Sequence, residues 1–128
     1  MKVDLKTVDD IVTSRSAVKD MAREIGFGIV DQTKIATAVS ELARNIVIYA
    51  GSGVVNVSAV MKNKRKGIEI ICEDRGPGIE DVSLACKDGY STSKGLGMGL
   101  PGSRRLMDEF DLKSEKGKGT IIMVRKWL

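Results

Sequence analysis

The period of the hydrophobic pattern changes near Gly51, and this change constrains the fold more than any other feature of the sequence. Before it, residues 8–25 and 31–50 carry apolar side chains at intervals of three and four, which is typical of amphipathic helices. "GFG" at 26–28 and "GSG" at 51–53 end these segments. After it, apolar and polar residues alternate over 55–61 and 68–73, which predicts two strands joined as an antiparallel hairpin.

Three further strands are predicted: the opening "KVDLKT", a short segment near 111–114, and the C-terminal "TIIMVRKWL". A glycine-rich stretch and a helix-like segment, "SRRLMDEF", separate the last two of these strands from the hairpin. Strands joined by short turns pair antiparallel, and helices need a sheet face to cover. We therefore predict an α/β (α+β) two-layer sandwich, with a mixed, largely antiparallel sheet covered on one face by three helices. Its 128 residues predict a single domain, 1–128.

The composition excludes several kinds of chemistry. The chain contains no histidine, so it cannot by itself form a Ser-His-Asp triad, a Cys-His pair, a His-ligated zinc site or a phosphohistidine relay. Cys72 and Cys86 are too few for a disulfide framework and too far apart for a CxxC motif, so we expect them to be small buried hydrophobes. Carboxylates, lysines, hydroxyls, backbone amides or a cofactor must carry the chemistry.

The charge distribution favours neither nucleic acid nor membrane as a partner. The net charge is +4, and the densest basic run, "KNKRK" at 62–66, is predicted to be a solvated hairpin tip with no aromatic residue among its charges. The N-terminal "MKVDLKTVDD" lacks the apolar region of a signal peptide, and no segment reaches the length of a membrane span. We expect a cytoplasmic protein that binds neither.

Glu41 and Asn45 form the first of three polar clusters that could take part in binding or catalysis. They lie one helical turn apart in "SELARNIVIYA", on a face about 100° or more from the apolar stripe of the second helix. A carboxylate and an amide oxygen so placed could converge on a metal ion and a reacting oxygen. A lone pair at this spacing is more often a solvated helix edge, so these two residues alone do not decide between the readings.

Asp74 belongs to the second cluster, "EDRGPGIED", which follows the second strand of the hairpin. The carboxylate is predicted at the end of that strand, and Gly76, Pro77 and Gly78 form a turn against which a flat ligand could lie. As a turn alone the segment would be ordinary. A carboxylate in this position also suits a hydrogen bond from the exocyclic amine of adenine.

The third cluster is the glycine-rich stretch "KGLGMGLPG" at 94–102. Gly97, Gly99 and Gly102 match G-x-G-x-x-G, but they follow a polar loop late in the chain and not the first strand of a βαβ unit. The sequence also lacks a Walker motif. Two interpretations remain. A glycine-rich backbone that leads into a helix N-terminus could bind a phosphate group, or the stretch could be a flexible connector.

The order and spacing of these clusters, followed by "GKGT" at 117–120, resemble the N, G1, G2 and G3 boxes of the GHKL ATPase superfamily, which includes gyrase B, Hsp90, histidine kinases and MutL. The resemblance spans about 40–120. Within that superfamily the chain is similar to the small bacterial serine kinases of sigma-factor regulation, above all the stressosome switch kinases, through "ELARNI", "YAG", "EDRGPGI", "DGYSTSKGLGMGLPG" and "RLMDEF". This implies a Bergerat ATP-binding fold, ATP and Mg²⁺ as cofactors, and phosphorylation of serine or threonine on STAS-domain proteins. Such a kinase then leaves its substrate for a phosphatase or another output protein.

The same resemblance implies a role for individual residues. Asn45 would bind Mg²⁺, and Glu41 would be the catalytic carboxylate near the γ-phosphate. Asp74 would accept the adenine amine, and Thr120 would assist through water. Related kinases place a basic lid residue near the γ-phosphate, and Lys94 is the nearest candidate. The remaining nucleotide-binding residues would be Gly76 and Gly78 beside the base and, in the lid from Ser91 to Gly102, Ser91, Thr92, Ser93, Gly95, Leu96, Gly97, Met98, Gly99 and Leu100.

Three alternatives remain at this stage. A hydrolytic ATPase could use the same residues to activate water, although gyrase-like and Hsp90-like enzymes append further domains. A sensor histidine kinase core would need a separate acceptor protein, because this chain has no histidine. An anti-sigma factor would sequester a sigma factor, with phosphorylation secondary. The boxes are shared by all of these, whereas the lid and the "RLMDEF" segment favour the switch kinase.

Overall fold

The computed structural model describes residues 1–75, 100–115 and 117–128. Its strands are β1 (Lys2–Leu5), β2 (Gly53–Lys62), β3 (Arg65–Asp74), β4 (Glu109–Glu115) and β5 (Gly119–Trp127). Its helices are α1 (Val8–Ile25), α2 (Ile29–Asn45) and α3 (Leu100–Leu106), and a π-helical segment, Ile46–Ala50, continues α2. Within these ranges, no helix is long and apolar enough to cross a membrane.

The five strands form one sheet in the order β1-β2-β3-β5-β4, and every neighbouring pair is antiparallel. The core lies between the sheet and the helices, where Val57, Ile70 and Val124 from the strands join Val18 of α1 and Leu42 of α2. Burying a side chain of this size stabilises the fold by about 1.5–3 kcal/mol. The predicted two-layer α+β sandwich is confirmed, and the described strands form a wholly antiparallel sheet where a mixed, largely antiparallel one was predicted.

Helix α1 begins at a capping arrangement that the sequence provides locally. The Asp10 carboxylate accepts hydrogen bonds from the backbone N–H groups of Lys6 (2.8 Å) and Thr7 (2.9 Å), and these bonds lower the pKa of Asp10. At the other end, Gly26 takes φ +121°, which a residue with a side chain rarely adopts. The helix therefore has the bounds that the periodicity and "GFG" predict.

Helix α2 differs from its prediction near its end. The predicted apolar stripe is buried as expected, and the helical chain does reach Ala50. From Ile46 onward, however, the hydrogen bonds follow the π pattern, in which each N–H bonds five residues back. The consecutive β-branched residues Ile46, Val47 and Ile48 lose rotamer freedom in a regular α-helix, which disfavours its continuation here. Asn45 is thus the last residue of the α-helix proper.

The hairpin of β2 and β3 turns through Asn63 and Lys64, which both have positive φ values, +52° and +65°. Two such residues are what a tight turn between right-twisted strands requires. Every residue from 62 to 66 is exposed, so the predicted solvated tip is confirmed. Near the end of β3, Cys72 is buried as expected, and burial, aided by the charge of Asp74, raises the pKa of its thiol to about 12. Cys86 lies outside the described residues.

The segment "SRRLMDEF" is only partly helical, which corrects its interpretation as one helix. Helix α3 ends at Leu106, whose carbonyl oxygen accepts a hydrogen bond from Nζ of Lys126 (3.2 Å). The backbone N–H of Asp108 then donates to the carbonyl oxygen of Arg125 (2.9 Å), and β4 starts at Glu109. Bonding to β5 therefore draws the last residues of the segment into the sheet.

Gly119, the first residue of β5, lies against the end of β3. It has φ +107°, and a Cβ atom at this position would lie 2.7 Å from Cα of Arg75 and closer still to the carbonyl oxygen of Asp74. No residue with a side chain fits here without displacing backbone. The two strands therefore meet at this point through backbone atoms alone.

We predict that Gly119→Ala is far more destabilising than Gly117→Ala. Gly117 also has a positive φ, +83°, but a Cβ there would meet nothing within 4 Å. Both variants incur about 1–2 kcal/mol for the backbone conformation, and Gly119→Ala should lose about 1–3 kcal/mol more from the collision. Urea unfolding of the two variants beside the wild type measures the difference. Equal losses would contradict the close approach of β3 and β5.

Candidate active site

Four residues lie side by side across the sheet, on the face that carries the helices. Asp74 of β3 is the register partner of Gly53 on β2 and of Thr120 on β5, and Thr120 is in turn the partner of Ser114 on β4. We call these four residues the Asp74 row. Asp74 is half-buried, whereas Thr120 is only 8% exposed. The structure therefore brings together the two residues that the sequence predicts for adenine binding.

The end of α2 packs directly on this row. A Cβ atom on Gly53 would lie 2.6 Å from Cγ2 of Ile46 and 3.3 Å from Cβ of Asp74, so only glycine allows the contact. Ile46 follows Asn45 in the chain and is buried. The contact therefore holds the last α-helical turn of α2 over the Asp74 row. Sequence reasoning did not identify this role of Gly53, which is visible only once strand and helix are in contact.

Glu41 and Asn45 are both half-buried and lie one turn apart on α2. The neighbouring Leu42 and Ile46 are buried in the core, so the helix is held by its apolar stripe while the two polar side chains lie at its edge. An amide oxygen such as that of Asn45 suits Mg²⁺, which prefers oxygen ligands. In the described ranges, no group of three or more Cys, Asp or Glu side chains could hold a metal ion. Mg²⁺ bound through Asn45 would therefore need oxygen ligands from outside this set, such as water or phosphate.

A cavity of about 310 Å³ opens at the ends of β3, β4 and β5. Its lining includes three members of the Asp74 row, Asp74, Ser114 and Thr120, and the charged residues Arg75, Lys113, Lys118 and Glu73. Glu73 and Lys113 alternate with the row along their strands, so the cavity spans the edge of the sheet and includes residues of both faces. Hydrogen-bond acceptors therefore lie beside positive charge, an arrangement that suits a ligand with a polar base and an anionic part. Within this lining, Asp74 and Thr120 are the side chains that could form hydrogen bonds with an adenine base.

Two hydroxyl groups of the row are hydrogen-bonded to one another. Oγ of Ser114 lies 2.9 Å from Oγ1 of Thr120, and it also donates to the carbonyl oxygen of Gly119 (3.1 Å). Sequence reasoning missed Ser114. The signal was present, because the short turn between β4 and β5 places a hydroxyl residue opposite Thr120.

Helix α3 is anchored to α2 close to Glu41. The hydroxyl of Ser103, which is fully buried, donates to the carbonyl oxygen of Ala38 (3.3 Å). Ala38 precedes Glu41 by about one helical turn. The chain that enters α3 at Leu100 is therefore attached to the same helix that carries Glu41 and Asn45.

Of the predicted site residues, Glu41, Asn45, Asp74 and Thr120 are described with their side chains, and Leu100 is the first residue of α3. All of the others lie outside the described residues: Gly76, Gly78, Ser91, Thr92, Ser93, Lys94, Gly95, Leu96, Gly97, Met98 and Gly99. The predicted phosphate-binding lid is therefore represented only by its end at α3.

Comparison with known proteins identifies the family. The family model "Histidine kinase-like ATPase domain" matches residues 6–126. Serine/threonine-protein kinase RsbT of Bacillus subtilis is 53% identical over 98% of this chain and 95% of its own length. An anti-sigma F factor of Caldanaerobacter subterraneus subsp. tengcongensis is 32% identical over 90% of this chain and 83% of its own length.

The fold has solved counterparts as well. A mycobacterial sensor histidine kinase, MprB, aligns over 99% of this chain and 96% of its own with a TM-score of 0.59, although only 16% of the residues are identical. The catalytic domain of the histidine kinase ThkA aligns over 98% of this chain with a TM-score of 0.55. These likenesses concern the fold alone. Together with the family match and the identity to RsbT, they show that the chain belongs to the histidine kinase-like ATPase family and is a serine/threonine-protein kinase.

Proposed function

We propose that this kinase is a cytoplasmic partner-switching regulator that uses ATP and Mg²⁺ to phosphorylate STAS-domain proteins and is then released to a downstream phosphatase or other output protein. The observation that carries the proposal is the packing of Ile46 on Gly53, because it holds the helix of Glu41 and Asn45 over the acceptor pair of Asp74 and Thr120. The 53% identity to a protein named serine/threonine-protein kinase RsbT supports the choice of activity. The STAS substrate class comes from the likeness to switch kinases.

At the base-binding end, the chain contributes acceptors. The carboxylate of Asp74 accepts a hydrogen bond from the exocyclic amine of adenine, and Thr120 lies beside it on the neighbouring strand. A carboxylate is a strong acceptor for such a donor, because a charged group makes the bond shorter and stronger. The half-buried position of Asp74 adds to this preference, since a bound base would exclude the remaining water.

At the transfer end, α2 contributes two oxygen-bearing side chains. Bound Mg²⁺ would neutralise part of the phosphate charge, and Asn45 would supply an amide oxygen to it. Glu41, one turn earlier, is the carboxylate that would orient the acceptor hydroxyl and accept its proton. Phosphoryl transfer depends chiefly on positioning and charge neutralisation, so a chain without histidine can carry it out.

The acceptor hydroxyl belongs to the partner protein. Phosphorylation adds a charge of about −1.5 to −2 to that partner, beside the phosphates of the bound nucleotide. The product complex is therefore expected to be weaker than the substrate complex, which frees the kinase for its output protein. Nucleotide and partner binding should be coupled, and each must alter the affinity of the other by the same factor.

A second candidate is an anti-sigma factor with kinase activity, which would sequester a sigma factor and in which phosphorylation would be secondary. Several relatives at 30–34% identity carry the name anti-sigma F factor. The 53% identity to RsbT favours the switch kinase over this alternative.

We predict that Asp74→Asn weakens ATP binding about 10- to 150-fold. The amide replaces a charged acceptor and removes a bond of about 1.5–3 kcal/mol. Isothermal titration calorimetry with ATP and Mg²⁺ measures the affinity. The control is Asp111→Asn, which neutralises an exposed carboxylate on β4 that does not line the cavity and should leave the affinity unchanged. An unchanged affinity in folded Asp74→Asn would rule out Asp74 as the adenine acceptor.

We expect Asn45 and Glu41 to have separable roles. Asn45→Ala should weaken nucleotide binding in the presence of Mg²⁺ and have little effect in EDTA, since it removes a metal ligand. Glu41→Ala should preserve binding and lower the rate of phosphoryl transfer about 10²- to 10⁴-fold. Binding titrations and single-turnover transfer distinguish the two. Lys34→Ala, at an exposed position of α2, is the control. Equally small effects in all three variants would show that Glu41 and Asn45 are merely solvated residues at the edge of the helix.

We predict transfer of the γ-phosphate from labelled ATP to a serine or threonine of a purified STAS-domain protein. The complex should bind more weakly after transfer than before it. Phosphopeptide mapping identifies the acceptor, and binding measured with unmodified and phosphorylated partner gives the change in affinity. Tight nucleotide-dependent binding to a sigma factor, without label on any STAS protein, would favour the anti-sigma alternative.

A further inference from the structure

We propose that the sheet face opposite the helices is the interface through which two copies of this chain form a symmetric dimer. We call this surface the open face. On every strand its residues alternate with those that face the core, and all of its side chains are at least partly exposed. Within the part of the chain that the structure describes, no helix or loop therefore covers this face.

The centre of the open face is apolar. Its larger apolar residues, all on the three central strands β2, β3 and β5, are Val54, Val60, Ile71, Ile121, Met123 and Trp127. Ile71 and Met123 are direct register partners in its middle, and Ile121 is 42% exposed. An apolar surface of this kind in contact with water commonly marks an interface.

Trp127 lies flat on the open face in a fixed orientation. Its Nε1 donates a hydrogen bond to Oε2 of Glu109 on β4, and its six-membered ring covers Gly67 on β3, where a Cβ atom would lie 2.5 Å from Cε3 of the ring. Beside it, Nε of Arg125 donates to Oε2 of Glu69 (2.7 Å). The aromatic ring is therefore held in place without a partner, and the charge of Glu69 is neutralised within the chain. A preorganised aromatic side chain is typical of the residues that contribute most to binding.

The charges at the two edges of the open face indicate a second copy as the partner. One row of the sheet register runs from Lys2 on β1 to Asp111 on β4, and the next row runs from Asp4 on β1 to Lys113 on β4. All four side chains are exposed. Each row therefore ends in opposite charges, and the order of the charges is reversed between the two rows.

A two-fold axis that runs parallel to the strands above β3, the middle strand of the sheet, makes this pattern self-complementary. It brings β1 of each copy against β4 of the other, so that Lys2 faces Asp111 and Asp4 faces Lys113. An axis across the strands, along the first of these rows, would instead set Lys2 against Lys2 and Asp111 against Asp111. Sheets packed face to face lie about 10 Å apart with their strands within about 30° of each other, a separation that a lysine and a carboxylate can span together.

The same axis matches apolar residues across the interface. Val54 of each copy faces Ile121 of the other, and Val60 faces the indole of Trp127. Glu73 would face its own counterpart, but it is exposed at the end of the strand, where water and salt screen like charges. The unfavourable contact therefore lies at the rim, and the favourable ones lie at the centre and along both edges.

The orientation of the axis has a consequence for catalysis, and this consequence alone rests on the proposed function. Because the axis runs along the strands, Asp74 of both copies lies at the same end of the dimer. Each candidate site is on the helical side of its own sheet and so stays outside the interface. A partner with two-fold symmetry could then present an acceptor hydroxyl to each site.

Sedimentation velocity over a range of protein concentrations tests the dimer. Met123→Glu, which would bury an unpaired charge, should weaken dimerisation at least about 10-fold. Asp111→Lys and Lys2→Glu should each weaken it about 10-fold, because each repulsive contact occurs twice in the dimer. Glu24→Lys and Lys34→Glu, at exposed positions of α1 and α2, are the matched controls and should have no effect. Circular dichroism shows whether each variant is folded.

A mixing experiment tests the pairing of the edges. In an equimolar mixture of Asp111→Lys and Lys2→Glu, each copy carries the charges that complement the other, so a heterodimer as stable as the wild-type dimer should form. A wild type that stays monomeric at all concentrations, or a dimer that Met123→Glu leaves intact, would overturn the proposal. Failure of the two charge variants to associate would overturn the proposed axis and its edge pairs. ATP affinity and phosphoryl transfer are measured separately, so none of these outcomes bears on the proposed function.

Discussion

The backbone contact between Gly119 and the end of β3 is the constraint on which the candidate site depends. Because Gly119 has no Cβ atom, β5 can approach the carbonyl oxygen of Asp74 directly. In this register Asp74 lies opposite Thr120. On the other side of Asp74, the absence of a side chain at Gly53 leaves space for Ile46, the first residue of the π-helical segment, to pack on the sheet. Asp74 thus lies between two glycines: Gly119 allows close approach of β5, and Gly53 allows close approach of the end of α2. A register shift of one residue would turn its carboxylate to the opposite face of the sheet.

The sheet and the helical layer contribute different residues to the candidate site. The sheet presents acceptors in a fixed row, whereas α2 presents Glu41 and Asn45 from above while its buried stripe keeps it in place. Helix α3 is attached to both layers, through Ser103 to α2 and through Lys126 to β5. The chain downstream of the glycine-rich stretch is therefore tied to the helix and to the sheet that form the site. This arrangement suits a reaction that requires accurate positioning more than acid–base strength.

Local patterns predicted what local interactions determine. The bounds of α1 follow from the cap at Asp10 and the stop at Gly26, and the two-residue turn at Asn63 and Lys64 follows from the alternation on either side. Features that need contacts between distant segments were not predictable in this way. The change to π bonding at Ile46, the start of β4 at Glu109, and the hydroxyl pair of Ser114 and Thr120 each depend on a neighbouring element. For the same reason, Asp74 and Thr120 could be predicted as site residues from motifs, but their direct pairing required the register of the sheet.

The hairpin of β2 and β3 places two very different surfaces at opposite ends of one structural unit. Its tip, with Asn63 and Lys64 in left-handed conformations, lies about 30 Å from Asp74 along a ten-residue strand. The tip is exposed, and at its base Arg65 and Lys66 form hydrogen bonds with Leu128 at the C-terminus. It is therefore the natural place for a fluorophore or a short peptide handle, since a label there can report on partner exchange without touching either the base-binding row or the helix above it.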